Sequence, residues 1–181
     1  MRCLWMTAIA ALTALCLCGC DVLEVNQVDS DGFVKDGKPH FVLTINHMVK
    51  YPHAEKIERE VECFNGNKVW INTNSLLHSR DIEEVQMVPM PGNPQYYNLR
   101  LKLAHRGKLM WLQASIGFKH SKVALLVDGV CYRIFNAQEP DENSDWVTIE
   151  GPFHKYLASG IVHYAAANYK MFNPSNDDFF N

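Results

Sequence analysis

Motifs of the common enzyme and nucleic-acid-binding classes are missing from this sequence. Its 181 residues carry 17 Lys and Arg against 20 Asp and Glu, which gives a net charge of −3. Nucleic-acid-binding domains need a basic surface, so we expect no nucleic-acid partner. The chain has no His-Glu-x-x-His, no Gly-x-Ser-x-Gly and no complete phosphate-binding loop. The sequence signals of zinc proteases, serine hydrolases and P-loop proteins are therefore absent.

Histidine is present, but not at metal-ligand spacing. No two of the eight histidines lie four residues apart, the spacing with which a helix holds one ion from one face. We therefore expect no enzymatic activity, no metal and no cofactor. The alternative is a small envelope hydrolase or metal-dependent enzyme. That alternative requires the fold to gather two or three histidines with Asp or Glu.

Cysteine is scarce beyond the first twenty residues. Of six cysteines, only Cys63 and Cys131 follow Cys20, and they have no Cys-x-x-Cys spacing. In an oxidising compartment these two residues could form a disulfide. Alternatively, both are small buried hydrophobes on strands. The residues alone leave both alternatives open.

The N-terminal segment has the composition of an export signal. Arg2 precedes an uncharged apolar stretch at 4–17. This stretch is shorter than the roughly 20 apolar residues of a transmembrane helix. A short apolar segment behind a positive charge is typical of a signal peptide, which we expect to occupy residues 1–19.

The end of this segment resembles the recognition site of bacterial lipoproteins. Leu17, Cys18 and Gly19 come directly before Cys20, and lipoprotein signal peptidase cuts before a cysteine in such a pattern. The resemblance implies cleavage after Gly19 and a lipid on Cys20. The protein would then be membrane-anchored by lipid on the periplasmic or extracellular face. The alternative is an ordinary secretory signal cut near Gly19.

The remaining chain predicts one domain between two polar segments. Residues 20–39 predict a lipidated flexible tether, 40–172 a single domain and 173–181 a disordered tail. Apolar and charged residues alternate at 57–64 and 96–103, which favours strands. Strands and helices mix without strict repetition. The predicted class is α+β, with a mainly antiparallel sheet and about three helices packed on it.

Turn signals and one apolar run predict the centre of the sheet. Asn65-Gly66 and Asp128-Gly129 predict tight hairpin turns, because these residue types tolerate positive φ. Asp128 could be taken for a catalytic carboxylate, but its place between two strands makes it a structural turn residue. The uninterrupted apolar run at 123–127 predicts a strand covered on both faces.

Three segments predict the helices. Ser79 is the expected N-cap of a short first helix. The three- and four-residue spacing of Leu109, Leu112 and Ile116 predicts a second helix. Gly151-Pro152 would open the last and longest helix, because proline is well accepted in a first helical turn.

Residues 69–170 resemble the head subdomain of the large periplasmic loop of SecD, a membrane subunit that assists protein export. In that family a phrase of the type Leu-Thr-x-x-Asp-Ile accompanies a short helix, and an aliphatic strand ends in Asp-Gly. Here the counterpart of the phrase is Asn74-Ser-Leu-Leu-His-Ser-Arg-Asp-Ile82, and the aliphatic strand ends in Asp128-Gly129; a strand and an Ala-rich helix follow in the family's order. The matching segments are 74–82, 99–115, 123–129, 147–153 and 158–167.

The chain also departs from the SecD pattern. The family has a proline and small residues after the Asp-Gly hairpin, where residues 130–133 are Val, Cys, Tyr and Arg. SecD also has transmembrane segments that move protons, and this chain lacks their counterpart. The resemblance implies a fold and a location, but it does not imply a proton-coupled motor.

These observations favour a non-enzymatic, lipid-anchored envelope domain that binds a macromolecule. Its role would be ancillary to protein export or envelope maintenance. The expected partners are the membrane, through the lipid on Cys20, and an envelope protein or extended polypeptide. An exposed sheet edge or the Pro-rich segment at 89–94 could pair with such a polypeptide as a strand. A structural envelope protein with no dedicated ligand is a further alternative.

Overall fold

The computed structural model describes residues 27–117, 121–138 and 144–174. The chain divides into two compact units, Met1–Lys38 and Pro39–Asn181. The predicted signal peptide, its recognition residues Leu17, Cys18 and Gly19, and the lipidation residue Cys20 lie outside the described residues. Residues 175–181 of the predicted tail lie outside them as well. All of these assignments stay predictions.

The first unit contains a short hairpin within the predicted tether. Strand β1 (Gln27–Val28) pairs antiparallel with β2 (Val34–Lys35). The Asp29 carboxylate stabilises the turn by accepting hydrogen bonds from the backbone N–H groups of Asp31 and Phe33. The segment therefore has local structure that its polar composition does not indicate.

The second unit confirms the predicted α+β class. Its described residues contain two α-helices, α1 (His105–Gly117) and α2 (Lys155–Phe172), and one 3-10 turn at Ser79–Asp81. The third predicted helix is thus a single turn. The strands of this unit are β3 (Leu43–Val49), β4 (Glu58–Glu62), β5 (Lys68–His78), β6 (Ile82–Met90), β7 (Asn93–Leu103), β8 (Lys122–Val127), β9 (Val130–Asn136) and β10 (Trp146–His154).

These strands form two main sheets, where the sequence predicted one. Within the described residues, one sheet has the order β4-β5-β3-β8-β9 and the other the order β10-β7-β6. All neighbouring strands in both sheets are antiparallel. The two edges of the five-stranded sheet meet at one point, where Cys63 and Cys131 form an isolated parallel bridge. This sheet is therefore strongly curled.

Strand β8 is covered on both faces, as its apolar run predicted. Val123, Leu125 and Val127 belong to the main core, which lies against the helices. The alternate residues Ala124 and Leu126 belong to a second cluster inside the curled sheet. Because successive side chains of a strand point to opposite faces, one uninterrupted run serves both cores.

The start of α2 corrects one prediction. Gly151 and Pro152 lie in β10, and the helix begins only at Lys155. Gly151 is required there by close packing, because a Cβ atom at this position would lie 2.3 Å from the Tyr97 carbonyl oxygen of β7. His154 is the N-cap, and its Nδ1 accepts a hydrogen bond from the Tyr156 N–H.

Candidate functional site

Helix α1 is attached to the domain by its small and aromatic residues. Its buried face consists of Gly107, Trp111, Ala114 and Ser115. Trp111 is only 1% exposed and packs in the main core. At Gly107 the helix approaches the 3-10 turn so closely that a Cβ atom would lie 2.6 Å from the Asp81 carbonyl oxygen. A larger residue at 107 would therefore push the helix away.

Charged contacts fix the same helix at its first turn. The Asp81 carboxylate is buried and lies 3.6 Å from the Arg106 guanidinium. Lys108 forms an ion pair with Asp145, just before β10. Hydrogen bonding to Lys108 and its positive charge lower the pKa of the Asp145 carboxyl group. Helix α1 is therefore held by packing on one side and by two acidic partners at its N-terminal end.

The opposite side of α1 is an apolar surface in contact with solvent. Leu109, Leu112 and Ile116 are 50%, 44% and 66% exposed. Their spacing of three and four residues places them on one side of the helix, away from Trp111. We call these three residues the apolar face. The sequence correctly predicted the helix, but this stripe is turned outward and not toward the core. This contiguous apolar surface is the candidate interaction site of the domain.

The free sheet edges are less suited than the apolar face to binding a polypeptide. Both edges of the three-stranded sheet contain a proline, Pro89 in β6 and Pro152 in β10, and a proline lacks the N–H that strand pairing needs. The edge strand β4 is highly charged, which also discourages pairing. The Pro-rich segment forms a tight turn, in which Met90 pairs with Asn93 and Gly92 has φ of +79°. These features make strand addition a weaker candidate than the apolar face.

The phrase that resembles SecD forms a structural junction. His78, and not Ser79, is the N-cap of the 3-10 turn: its Nδ1 accepts from the Arg80 N–H, while the Asp81 carboxylate accepts from the His78 N–H. Ser79 Oγ instead accepts a hydrogen bond of 2.8 Å from the Leu43 N–H in β3. Ser79 bonds to a distant strand, which sequence reasoning could not detect. The junction connects β5 with β3 and α1.

Asp128 and Gly129 form a tight turn, and Asp128 also binds the segment before β3. Their φ angles are +48° and +85°, and Val127 pairs with Val130 across the turn. The Asp128 carboxylate accepts hydrogen bonds from the N–H groups of Phe41 and Val42, at 3.0 and 2.8 Å. Asp128 therefore also fastens the segment that leads into β3. These long-range bonds have no signal in the local sequence.

Three of the described histidines occupy separate structural positions. His40 lies against the ring of Tyr164, with ring centroids 5.2 Å apart. His78 caps the 3-10 turn, and His154 caps α2. Within the described residues of the second unit, no three His, Cys, Asp or Glu side chains lie close enough to share a metal ion.

Cys63 and Cys131 are buried free thiols. They are neighbours at the bridge between β4 and β9. Burial, followed by hydrogen bonding to the Cys63 thiol, raises the pKa of Cys131 to about 12. The fold thus brings together the pair for which the sequence left two alternatives open.

Comparison with known proteins identifies a fold but no family. No protein-family model and no curated protein matches the sequence. Two solved structures of SecDF resemble the fold, each with a TM-score of 0.52 and 14% identity over 71% of this chain. One is SecDF in a super-membrane-facing form, of which this chain spans 19%. The other is a membrane component SecDF that enhances protein export, of which it spans 63%. At this identity the similarity establishes the fold alone, and it confirms the predicted SecD-like fold.

Across residues 27–117, 121–138 and 144–174, no helix has the length and apolar character needed to cross a membrane.

Proposed function

We propose that this chain is a lipid-anchored cell-envelope protein that binds apolar segments of other polypeptides without catalysing a reaction. Its role is ancillary to protein export. The observation that carries the proposal is the apolar face of α1, formed by Leu109, Leu112 and Ile116. The partner is an incompletely folded polypeptide, because such chains expose the apolar side chains that this face can cover.

The size of the apolar face favours weak, transient binding. Complete burial of a Leu or Ile side chain contributes roughly 1.5–3 kcal/mol. The three side chains are already about half buried, so covering the remainder gives on the order of 3 kcal/mol. A dissociation constant of 1 mM corresponds to about −4.1 kcal/mol. One contact would therefore hold a polypeptide only briefly, as suits a chain in passage.

The attachment of α1 makes this face rigid before any partner arrives. Trp111 is packed in the core, and Arg106 and Lys108 pair with Asp81 and Asp145. A surface that is already ordered loses little conformational freedom on binding. Most of the contact energy then contributes to affinity for the partner.

The similarity to SecDF supports a role in export. One of the similar structures is of a membrane component that enhances protein export. A lipid on Cys20 would keep this domain at a membrane surface, where exported chains emerge unfolded. The fold, the predicted anchor and the apolar face are thus consistent with one function.

Binding of an unfolded model polypeptide tests the proposal. A reduced and carboxymethylated protein, which stays unfolded in native buffer, is titrated with the full chain. The double variant Leu112→Lys with Ile116→Lys should bind at least about tenfold more weakly, since a loss of 1.4 kcal/mol is tenfold. The control is Met171→Lys, which replaces an exposed apolar residue of α2 and should bind normally.

Equal binding by the double variant and the wild type would overturn the proposal. Binding to phospholipid vesicles is measured with the same proteins. If the double variant loses vesicle binding but retains polypeptide binding, the apolar face contacts lipid, and the proposal is wrong.

The predicted anchor has its own test. The lipid is detected directly by incorporation of labelled palmitate into the chain in growing cells. Cys20→Ser should abolish this incorporation, and the control Cys63→Ser should retain it. Incorporation of palmitate into the Cys20→Ser protein would contradict lipid anchoring at Cys20.

A further inference from the structure

Cys63 and Cys131 lie where the two edges of the five-stranded sheet meet. Cys63 directly follows β4, and Cys131 is the second residue of β9. These strands are at opposite ends of the sheet order. Besides the bridge between the cysteines, the Phe64 N–H donates a hydrogen bond of 2.8 Å to the Cys131 carbonyl oxygen. The curled sheet is thus closed at one point by weak contacts alone.

The geometry of this point suits a covalent bond. Residues paired across neighbouring strands lie about 5 Å apart, and disulfides join Cα atoms separated by roughly 4.4–6.8 Å. Both cysteine side chains belong to the apolar cluster inside the curled sheet, together with Val61 and Leu126. A disulfide therefore requires little movement of either strand.

A pocket borders the two cysteines. Its volume is about 280 Å³, and it is lined by both cysteines together with Phe64, Asn65 and Tyr132, among others. The rings of Phe64 and Tyr132 stack with centroids 5.3 Å apart. The pocket opens to solvent beside the two cysteines.

We propose that Cys63 and Cys131 are a modification site at which a disulfide-carrying oxidant forms a disulfide that closes the five-stranded sheet into a ring. The oxidant is oxidised glutathione or the disulfide of a thiol oxidoreductase. The Cys63 thiolate attacks one sulfur of the oxidant, forming a mixed disulfide and releasing the first thiolate. The Cys131 thiolate then attacks the Cys63 sulfur and releases the second. The two cysteines lose two electrons and two protons, and the oxidant becomes two thiols.

The local environment determines the order of these steps. Residue Cys63 is 7% exposed and residue Cys131 2%, so an oxidant meets Cys63 first. Burial raises the pKa of Cys131 to about 12, so little thiolate is present there at neutral pH. The bond should therefore form faster as the pH is raised.

Peptide mapping of the full chain tests the proposal. The protein is purified under reducing conditions, incubated with oxidised glutathione, and digested with trypsin after alkylation of free thiols. The expected product is peptide 60–68 joined to peptide 123–133, and reductant should abolish it. A disulfide that encloses about 70 residues should raise the Tm by roughly 10 °C. The double variant Cys63→Ala with Cys131→Ala should show no shift with oxidant.

If both peptides stay alkylated or carry only glutathione after prolonged oxidation, the proposal is wrong. A joined peptide without an increase in Tm would overturn the closure of the sheet. Neither measurement depends on the apolar face or on Cys20, so a failure here leaves the proposed function untouched.

Discussion

The two helices of the domain have apolar stripes of similar spacing but opposite exposure. In α2 the residues Ile161 and Ala165 are buried in the main core. In α1 the corresponding stripe, Leu109, Leu112 and Ile116, faces solvent. The periodicity of a sequence therefore shows which side of a helix is apolar, but not whether that side is covered.

The way each helix is held explains the difference. Helix α2 needs its apolar stripe to attach to the domain. Helix α1 attaches through a close backbone contact at Gly107 and one buried ring, Trp111. Its second apolar side lies outside the core and is exposed to solvent.

Two isoleucines provide the strongest test of this comparison. Ile161 of α2 is 2% exposed, whereas Ile116 of α1 is 66% exposed. Ile161→Ala should lower the free energy of unfolding by about 2–5 kcal/mol, because it leaves a cavity in the core. Ile116→Ala should change it by less than about 0.5 kcal/mol. Urea unfolding of both variants measures these values. Similar losses in the two variants would mean that the apolar face is part of the core.

Two glycines of α1 test how that helix is attached. Gly107→Ala should lower the free energy of unfolding by roughly 1–3 kcal/mol, the usual range for overpacking, because its Cβ would meet the Asp81 carbonyl oxygen. Gly117 has open space around its Cβ position. Gly117→Ala should leave stability unchanged or raise it by up to about 1 kcal/mol, since alanine favours a helix. Thermal unfolding of the two variants measures these changes. An unchanged stability of Gly107→Ala would refute the close contact between Gly107 and the Asp81 carbonyl oxygen.

The pH dependence of stability tests the role of His78 at the 3-10 turn. Burial, followed by the charge of Arg80, lowers the pKa of His78. The folded state therefore binds this proton less readily than the unfolded state, whose histidine pKa is about 6.5. This contribution to stability is complete above about pH 6.5 and is lost as the pH falls toward the lower folded pKa. The urea midpoint should thus decrease from pH 7.5 to 5.5.

His78→Asn is the matched control for that decrease. Asparagine keeps a side-chain acceptor at the N-cap but does not titrate. The variant should lose part of the pH dependence and retain the part due to His47, whose pKa is also lowered by burial. An unchanged pH dependence in His78→Asn would show that His78 does not titrate with folding.

Local signals in the sequence predicted much of the fold. The Asn65-Gly66 dipeptide lies between β4 and β5, and the 123–127 run became the strand with two buried faces. The order of elements from β5 to α2 also supported the SecD-like fold. These features depend on neighbouring residues or on a strand's own alternation, so one chain segment is enough to predict them.

The candidate site could be predicted only in part, because its decisive contacts are distant in sequence. The direction of the apolar face depends on what Gly107 and Trp111 touch. The role of Asp128 depends on hydrogen bonds to Phe41 and Val42. The start of α2 depends on the approach of Gly151 to β7. None of these contacts has a local pattern.

Crosslinking from single positions in intact cells tests the central claim most directly. A photoreactive amino acid is placed at position 112 on the apolar face, or at position 171 on the exposed side of α2. Exported polypeptides are then labelled during synthesis and captured. The account predicts adducts with several newly exported chains from position 112 and few from position 171. Equal yields from both positions, or no polypeptide adduct from 112, would contradict it.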